Sequence, residues 1–158
     1  MTDELKLKNA KSVYQLVCDL FDEKQLDYKK FEEDLVITIK MNGENLSMDF
    51  VIKIDEKRDL IRILSRLPVV FQGEKRLDGA IATSQINYGL ADGSFDYNYN
   101  KGEIIFKITS SYKGCSVSKD LIYYMMSCAC YTIDGYNDKL LALSEGKISV
   151  REFYTKKQ

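Results

Sequence analysis

Histidine is absent from this 158-residue chain, proline occurs once, and no long apolar run is present. Without imidazole, histidine-dependent nucleophilic or acid–base catalysis is excluded, and so is a histidine proton switch near neutral pH. A zinc site would have to be built from thiolates and carboxylates alone. No stretch approaches the roughly 20 apolar residues that span a bilayer. The opening Met1-Thr2-Asp3-Glu4-Leu5 lacks the basic segment and apolar run of a secretory signal, so the expectation is a cytoplasmic protein with no membrane partner. Net charge is −1, which supplies no global field for a nucleic acid.

Cysteine is sparse too: Cys18, Cys115, Cys128 and Cys130. In a reducing compartment they are expected as small buried hydrophobes rather than bridges. Cys128 and Cys130, two apart on a helix, point to opposite sides and make a poor metal pair. Cys115, beside Gly114 and just ahead of the third helical segment, is the one thiol placed where a helix terminus or a lysine could activate it. Acidic residues are scattered through turns and helix ends, with no pair on which acid–base chemistry can be argued. No catalytic residue, cofactor or metal is therefore expected.

What is present is hydrophobic periodicity. Asn9 is a candidate cap for a first helix carrying Val13, Leu16, Val17, Leu20 and Phe21 on one side. Residues 26–31 show no clear pattern and read as an extended connection. Alternation then starts at Leu35, with Ile37, Ile39 and Met41 facing one way, and Asn42-Gly43 is a hairpin signal through residues that tolerate positive φ. Met48, Phe50, Ile52 and Ile54 form the next strand. Ile61, Ile63, Ser65 and Leu67 form a third, which Pro68 is expected to end because it cannot donate to a ladder. Val69, Val70 and Phe71 are then unusual for a connection and suit either a plug on the sheet edge or a contact surface.

Leu77, Ala80, Ile81, Ser84 and Tyr88 give a second helical stripe, for packing within the monomer or for a subunit contact. After Gly93, Phe95, Tyr97 and Tyr99 alternate, and past Asn100-Lys101-Gly102 the alternation resumes with Ile104, Phe106 and Ile108. That is an antiparallel hairpin, with Tyr99 expected opposite Ile104 and Tyr97 opposite Phe106. A third helix starts at an N-cap, Ser118, and keeps Ile122, Met125, Met126, Ala129, Ile133, Tyr136, Leu140 and Leu143 on one side, continuing through Gly135 to a stop at Gly146. Ser149 and Glu152 are spaced as a capping box for a last short turn.

The order α-βββ-α-ββ-α, within a single domain spanning 1–158, predicts an α+β sandwich. Its five-stranded antiparallel sheet has the first and third helices on one face.

Three further constellations yield to plainer readings. Asp96 to Gly102 matches a calcium loop at alternate positions, but Lys101 stands where glycine belongs and Lys107 where a bidentate glutamate belongs. Gly73-Glu74-Lys75-Arg76 lacks P-loop spacing. Arg58, Arg62 and Arg66, interleaved with Leu60 and Leu64, suit a sheet's open face, snorkelling or paired with acids on the next strand. The compositional oddity is eleven tyrosines. Tyr123, Tyr124 and Tyr131 sit at or beyond the margin of the third helix's apolar stripe, where a core margin or an interface uses them.

Ile86-Asn87-Tyr88-Gly89-Leu90, Gly93-Ser94-Phe95, Gly102-Glu103-Ile104 and Phe106-Lys107 resemble the signature region of the YbjN family of bacterial proteins. Tyr136, Leu140 and Gly146 stand where that family tends to carry an aromatic, an aliphatic and a glycine. The resemblance runs from about Asp59 to Phe153. It departs from the family at Lys107, where arginine is common, and at Ser84, where asparagine or an aromatic is usual. It implies a fold similar to type III secretion chaperones, which are usually dimers, and no established enzymatic activity; the family is loosely called a sensory transduction regulator. The expectation is a non-enzymatic homodimer that binds a protein or peptide, with Val69, Val70, Phe71, Ala80, Ser84, Tyr123 and Tyr124 as interface candidates. The alternative is a small-molecule sensor or enzyme with a pocket between sheet and helices.

Overall fold

A computed structural model describes residues 2–155. The elements are α1 (Asp3–Glu23), β1 (Tyr28–Phe31), β2 (Val36–Asn42), β3 (Ser47–Asp55), β4 (Leu60–Val70), α2 (Lys75–Gly89), β5 (Ser94–Asn98), β6 (Glu103–Ser111), α3 (Lys119–Ser144) and α4 (Val150–Thr155). All strands join one antiparallel sheet in the order β1-β2-β3-β4-β6-β5. It has six strands, not five, and the order is α-ββββ-α-ββ-α-α. The extra strand is β1, where the sequence suggested a connection. Its four residues lie at the sheet edge and none is fully buried, so no alternation marks them; pairing with β2 alone defines the strand.

One face of the sheet is buried across its central strands. Ile37, Ile39, Phe50, Ile52, Ile54, Ile61, Ile63, Phe95, Ile104, Phe106 and Ile108 are at most 5% exposed. Against them lie Val13, Val17, Leu20 and Phe21 of α1 and Ile122, Met126, Ala129, Ile133 and Leu140 of α3, as the two stripes require. Helix α3 runs unbroken through Gly135. Ser118 Oγ accepts the Leu121 amide at 3.2 Å, and Gly146, at φ +72°, follows the C-cap Glu145. The Ser149–Glu152 capping box is closed: Ser149 N donates to Glu152 at 2.8 Å and Glu152 N to Ser149 Oγ at 3.2 Å. Helix α1 starts earlier than Asn9, because Thr2 accepts the Leu5 amide and acts as its cap.

Pro68 does not end its strand. β4 continues to Val70, and the register slips between Arg66↔Ile105 and Val70↔Glu103, so the proline falls in a bulge where its missing N–H breaks no ladder bond. The inward alternation therefore carries on past the bulge, and Val69 (1% exposed) and Phe71 (0%) enter the core. The Phe71 amide bonds the Gly102 carbonyl at 2.8 Å, and a side chain on Gly102 would run into the Phe71 backbone. The β5–β6 hairpin keeps its expected faces but shifts by two residues, with Tyr97 opposite Ile104 and Phe95 opposite Phe106.

Candidate functional site

With that sheet face covered, the outer surfaces to consider are the outward sides of α2 and α3, the grooves around α1, and the sheet's open face.

Helix α2 packs on β5 and α3 through Gly79, Ala82, Thr83 and Ile86. Gly79 is forced by closeness, because an added Cβ would lie 2.7 Å from the Tyr97 hydroxyl and 2.8 Å from the Phe71 ring. The stripe read from the sequence is the opposite one. Leu77 (57% exposed), Ile81 (37%), Ser84 and Tyr88 (93%) all face solvent, and Ala80 flanks them half-buried. At 100° per residue, positions 77, 81, 84 and 88 fall within about 60° of each other, directly away from the buried side. An apolar stripe on the wrong side of a helix has no use inside the monomer.

Next to this stripe the β5 edge is closed by a side chain. Asn87 Nδ2 donates to the Phe95 carbonyl at 3.0 Å, and the Phe95 amide donates to Asn87 Oδ1 at 2.8 Å. The amide stands in for a strand partner there. Beyond it, Asp92 accepts the Tyr124 hydroxyl and joins the loop after α2 to the outer side of α3. Tyr123, Tyr124 and Tyr131 of α3 are all exposed. Lys24 sits 4.9 Å over the Tyr123 ring, beside an apolar cleft of about 320 Å³ lined by Phe21, Leu26, Met41, Met126 and Cys130.

Of the interface candidates, Val70, Ser84, Tyr123 and Tyr124 are exposed and Ala80 half-exposed, whereas Val69 and Phe71 belong to the core. The structure does not unite them: Val70 lies on the sheet, Ala80 and Ser84 on α2, and the tyrosines on α3. Leu77 (57% exposed) and Tyr88 (93%) are more exposed than Val70, Tyr123 or Tyr124, Ile81 (37%) lies between them on the same side of α2, and their 3.6-residue spacing is the signal.

The thiols are all free. Cys18 is buried as expected; Cys128 and Cys130 are half-buried, and Cys115 is exposed. Cys115 lines a groove of about 800 Å³ between α1 and the loop before α3, with Leu5, Asn9, Val13 and Tyr112. Its sulfur lies 3.8 Å from the Ser111 carbonyl. Tyr112 behind it is pushed up to about 12, by burial first and then by the charges of Asp59, Asp55 and Glu56. Among the described residues, no group of three or more cysteine and carboxylate side chains is arranged to hold a metal ion. Nor is any described helix long and apolar enough to cross a membrane.

Of Arg58, Arg62 and Arg66, the last pairs with Glu103 of β6 at 3.3 Å, as expected of a pairing with an acid on the next strand. Arg58 is in the β3–β4 turn rather than on a strand, its amide bonded to Asp55 at 3.1 Å. Arg62 faces outward without an ion pair among the described residues.

No family model matches the chain, and no curated protein does. Solved structures share its fold. A chain of the ExsC–ExsE complex superposes with a TM-score of 0.59 at 10% identity, covering 82% of this chain and 94% of that one. YbjN of E. coli, described as a candidate transcription regulator, gives 0.59 at 11% identity over 84% and 92%. A chain of the HopA1–SchA chaperone–effector complex gives 0.56 at 10% identity over 78% and 91%. The α+β fold is thus shared with YbjN and with one chain of each of these two complexes.

Proposed function

We propose that this chain is a non-enzymatic, protein-binding domain, a chaperone- or adaptor-like module that self-associates through α2. The observation that carries the reading is the solvent-facing stripe of Leu77, Ile81 and Tyr88, set opposite the side that packs α2 into the monomer. Burying a stripe of that kind against a twofold copy of itself is the simplest way to remove it from water. Small flanking residues, Ala80 and Ser84, let a second helix approach closely. Two of the fold's neighbours are chains of protein–protein complexes, which supports binding of a protein segment as the activity. Four free thiols suit a reducing compartment such as the cytoplasm.

The competing small-molecule reading has one feature in its favour, the groove at Cys115. Against it, the space between sheet and helices is filled by Phe21, Phe50, Phe71, Phe95 and Phe106, each at most 1% exposed.

Light scattering on a size-exclusion column tests the proposal. The expected result is a dimer that the double substitution L77D/I81D converts to a folded monomer. A wild-type chain that elutes as a monomer at every concentration overturns it.

A further inference from the structure

The open face of the sheet carries a charge arrangement that the rest of the molecule leaves unresolved. Three of its cations have partners: Lys40 with Asp49 at 3.7 Å, Arg66 with Glu103 at 3.3 Å, and Lys107 with Asp96. Lys53 of β3 and Arg62 of β4 do not, nor does Lys29 of the edge strand β1 among the described residues. Lys53 and Arg62 are direct cross-strand partners at the middle of the sheet, and neither makes an ion pair among the described residues. Like charges held directly opposite each other repel. The nearest acid along the same strand face is Asp55, two positions on, and its carboxylate accepts the Arg58 amide in the turn.

Around this pair the face mixes apolar and polar side chains: Thr109 is the partner of Arg62 on β6 and Asp55 is one row beyond Lys53, while the other neighbours are apolar. Val36 is the partner of Lys53 on β2. One row further along, Val51 is paired with Leu64. Beyond Val36, at the edge, Phe31 is 47% exposed. A shallow depression of about 400 Å³ continues from Val51 to Lys29 and Thr38, lined also by Asp27 and by Asp49, whose carboxylate is paired with Lys40. No residue pointing to this side of the sheet is fully buried, so no helix covers it.

We propose that this face, centred on Lys53 and Arg62, docks an acidic segment of a partner protein. One carboxylate lies between the two cations and neighbouring apolar side chains rest on Val36, Val51 and Leu64. The inference rests on the protein-binding reading above and adds the chemistry of the partner. A guanidinium beside an ammonium captures a carboxylate by a planar fork plus a point charge. The apolar neighbours favour a mixed peptide over a bare anion. A nucleic acid is disfavoured because Phe31 is the one exposed aromatic on the face among the described residues and the chain carries a net charge of −1.

The test is fluorescence anisotropy with a labelled peptide of alternating glutamate and valine, against its lysine–valine counterpart. Expected is binding of the acidic peptide at least about tenfold tighter than the basic one, weakening as salt is raised. K53E/R62E should invert that preference while keeping the circular dichroism spectrum and the oligomeric state. Equal affinity for both peptides, or an acidic peptide whose binding K53E/R62E leaves unchanged, overturns the proposal. So does displacement of the peptide by inorganic phosphate or oligo-dT at concentrations comparable to its own. Oligomeric state is read on the same samples: a dimer that binds no acidic peptide refutes the docking face alone, whereas a monomer that still binds it refutes self-association alone.

Discussion

Asp134, midway along α3, accepts the backbone amide of Glu44 in the β2–β3 turn at 2.9 Å. One residue earlier, Gly43 leaves no room for a side chain, because a Cβ there would lie 2.3 Å from Asp134 Oδ1 and 2.5 Å from the Leu46 carbonyl. The glycine is needed for this close approach, not for the positive φ that an Asn-Gly turn suggests, since its φ is not positive. Asp138, one helical turn on, accepts a further, longer bond from Asn45 at 3.4 Å. The turn is thus latched to the long helix.

Gly43→Ala is expected to destabilise the fold by about 1–3 kcal/mol through this collision, and Asp134→Ala by about 1 kcal/mol through loss of a charge-assisted bond. Because part of the clash is with the Leu46 backbone, Asp134→Ala should not fully rescue Gly43→Ala. Urea denaturation of the two single variants and the double variant measures both the sizes and the coupling.

Lys53→Glu should stabilise the isolated protein. Replacing a like-charged pair by an opposite one across β3 and β4 is worth about 0.2–1 kcal/mol at an exposed site, or a rise of about 1–3 °C in Tm for a chain of this length. The rise should shrink at high salt. A fall in Tm, read by differential scanning calorimetry, would show that Lys53 and Arg62 do not oppose one another.

The two sides of α2 should respond oppositely. Ile86 is 5% exposed, and Ile86→Ala is expected to cost about 2–4 kcal/mol of folding free energy. Leu77 is 57% exposed, so Leu77→Ala should change monomer stability by less than about 0.5 kcal/mol while weakening self-association. Thermal melts paired with sedimentation equilibrium separate the two effects.

The thiols should differ in reactivity and in their effect on alkaline stability. Burial, with Asp134's charge as the lesser cause, pushes the Cys130 thiol up to about 11. Burial, as the leading cause, also raises Cys18. Iodoacetamide should therefore label exposed Cys115 first, half-buried Cys130 more slowly, and buried Cys18 only on unfolding. The folded chain holds the Cys130 proton to about pH 11, whereas an unfolded thiol releases it near about pH 8.5. The stability linked to that proton is fully present below about pH 8.5 and is lost between there and pH 11. Cys130→Ala should flatten the loss, as read by urea midpoints across that range.

Much of this was legible in the residues. Period-two alternation located β2, β3, β4, β5 and β6, and the stripes of α1 and α3 identified the two helices that cover them, because a buried face must repeat at the period of its backbone. β1 was invisible for the complementary reason: an edge strand with no fully buried residue has no pattern to show. Pro68 misled because its cost in a strand depends on whether its position needs a ladder bond, and the bulge removes that need. With the strand extended, Val69 and Phe71 become core rather than surface.

The second helix marks the limit. Its apolar positions follow a helical period, yet periodicity gives only the spacing of a stripe and not the direction in which it faces. Gly79 and Ala82 win the inward side because β5 and Phe71 come too close for Leu77 or Ile81. The candidate site followed the same rule: each of its residues was visible, but their grouping depended on contacts distant in sequence. The amino-acid sequence by itself determined the α+β class, the covered sheet face and the absence of imidazole chemistry, all set by local composition and period. Only the tertiary structure decided which apolar residues stay wet and that Lys53 and Arg62 stand side by side, because strand register and interhelical distance are properties of the packed whole.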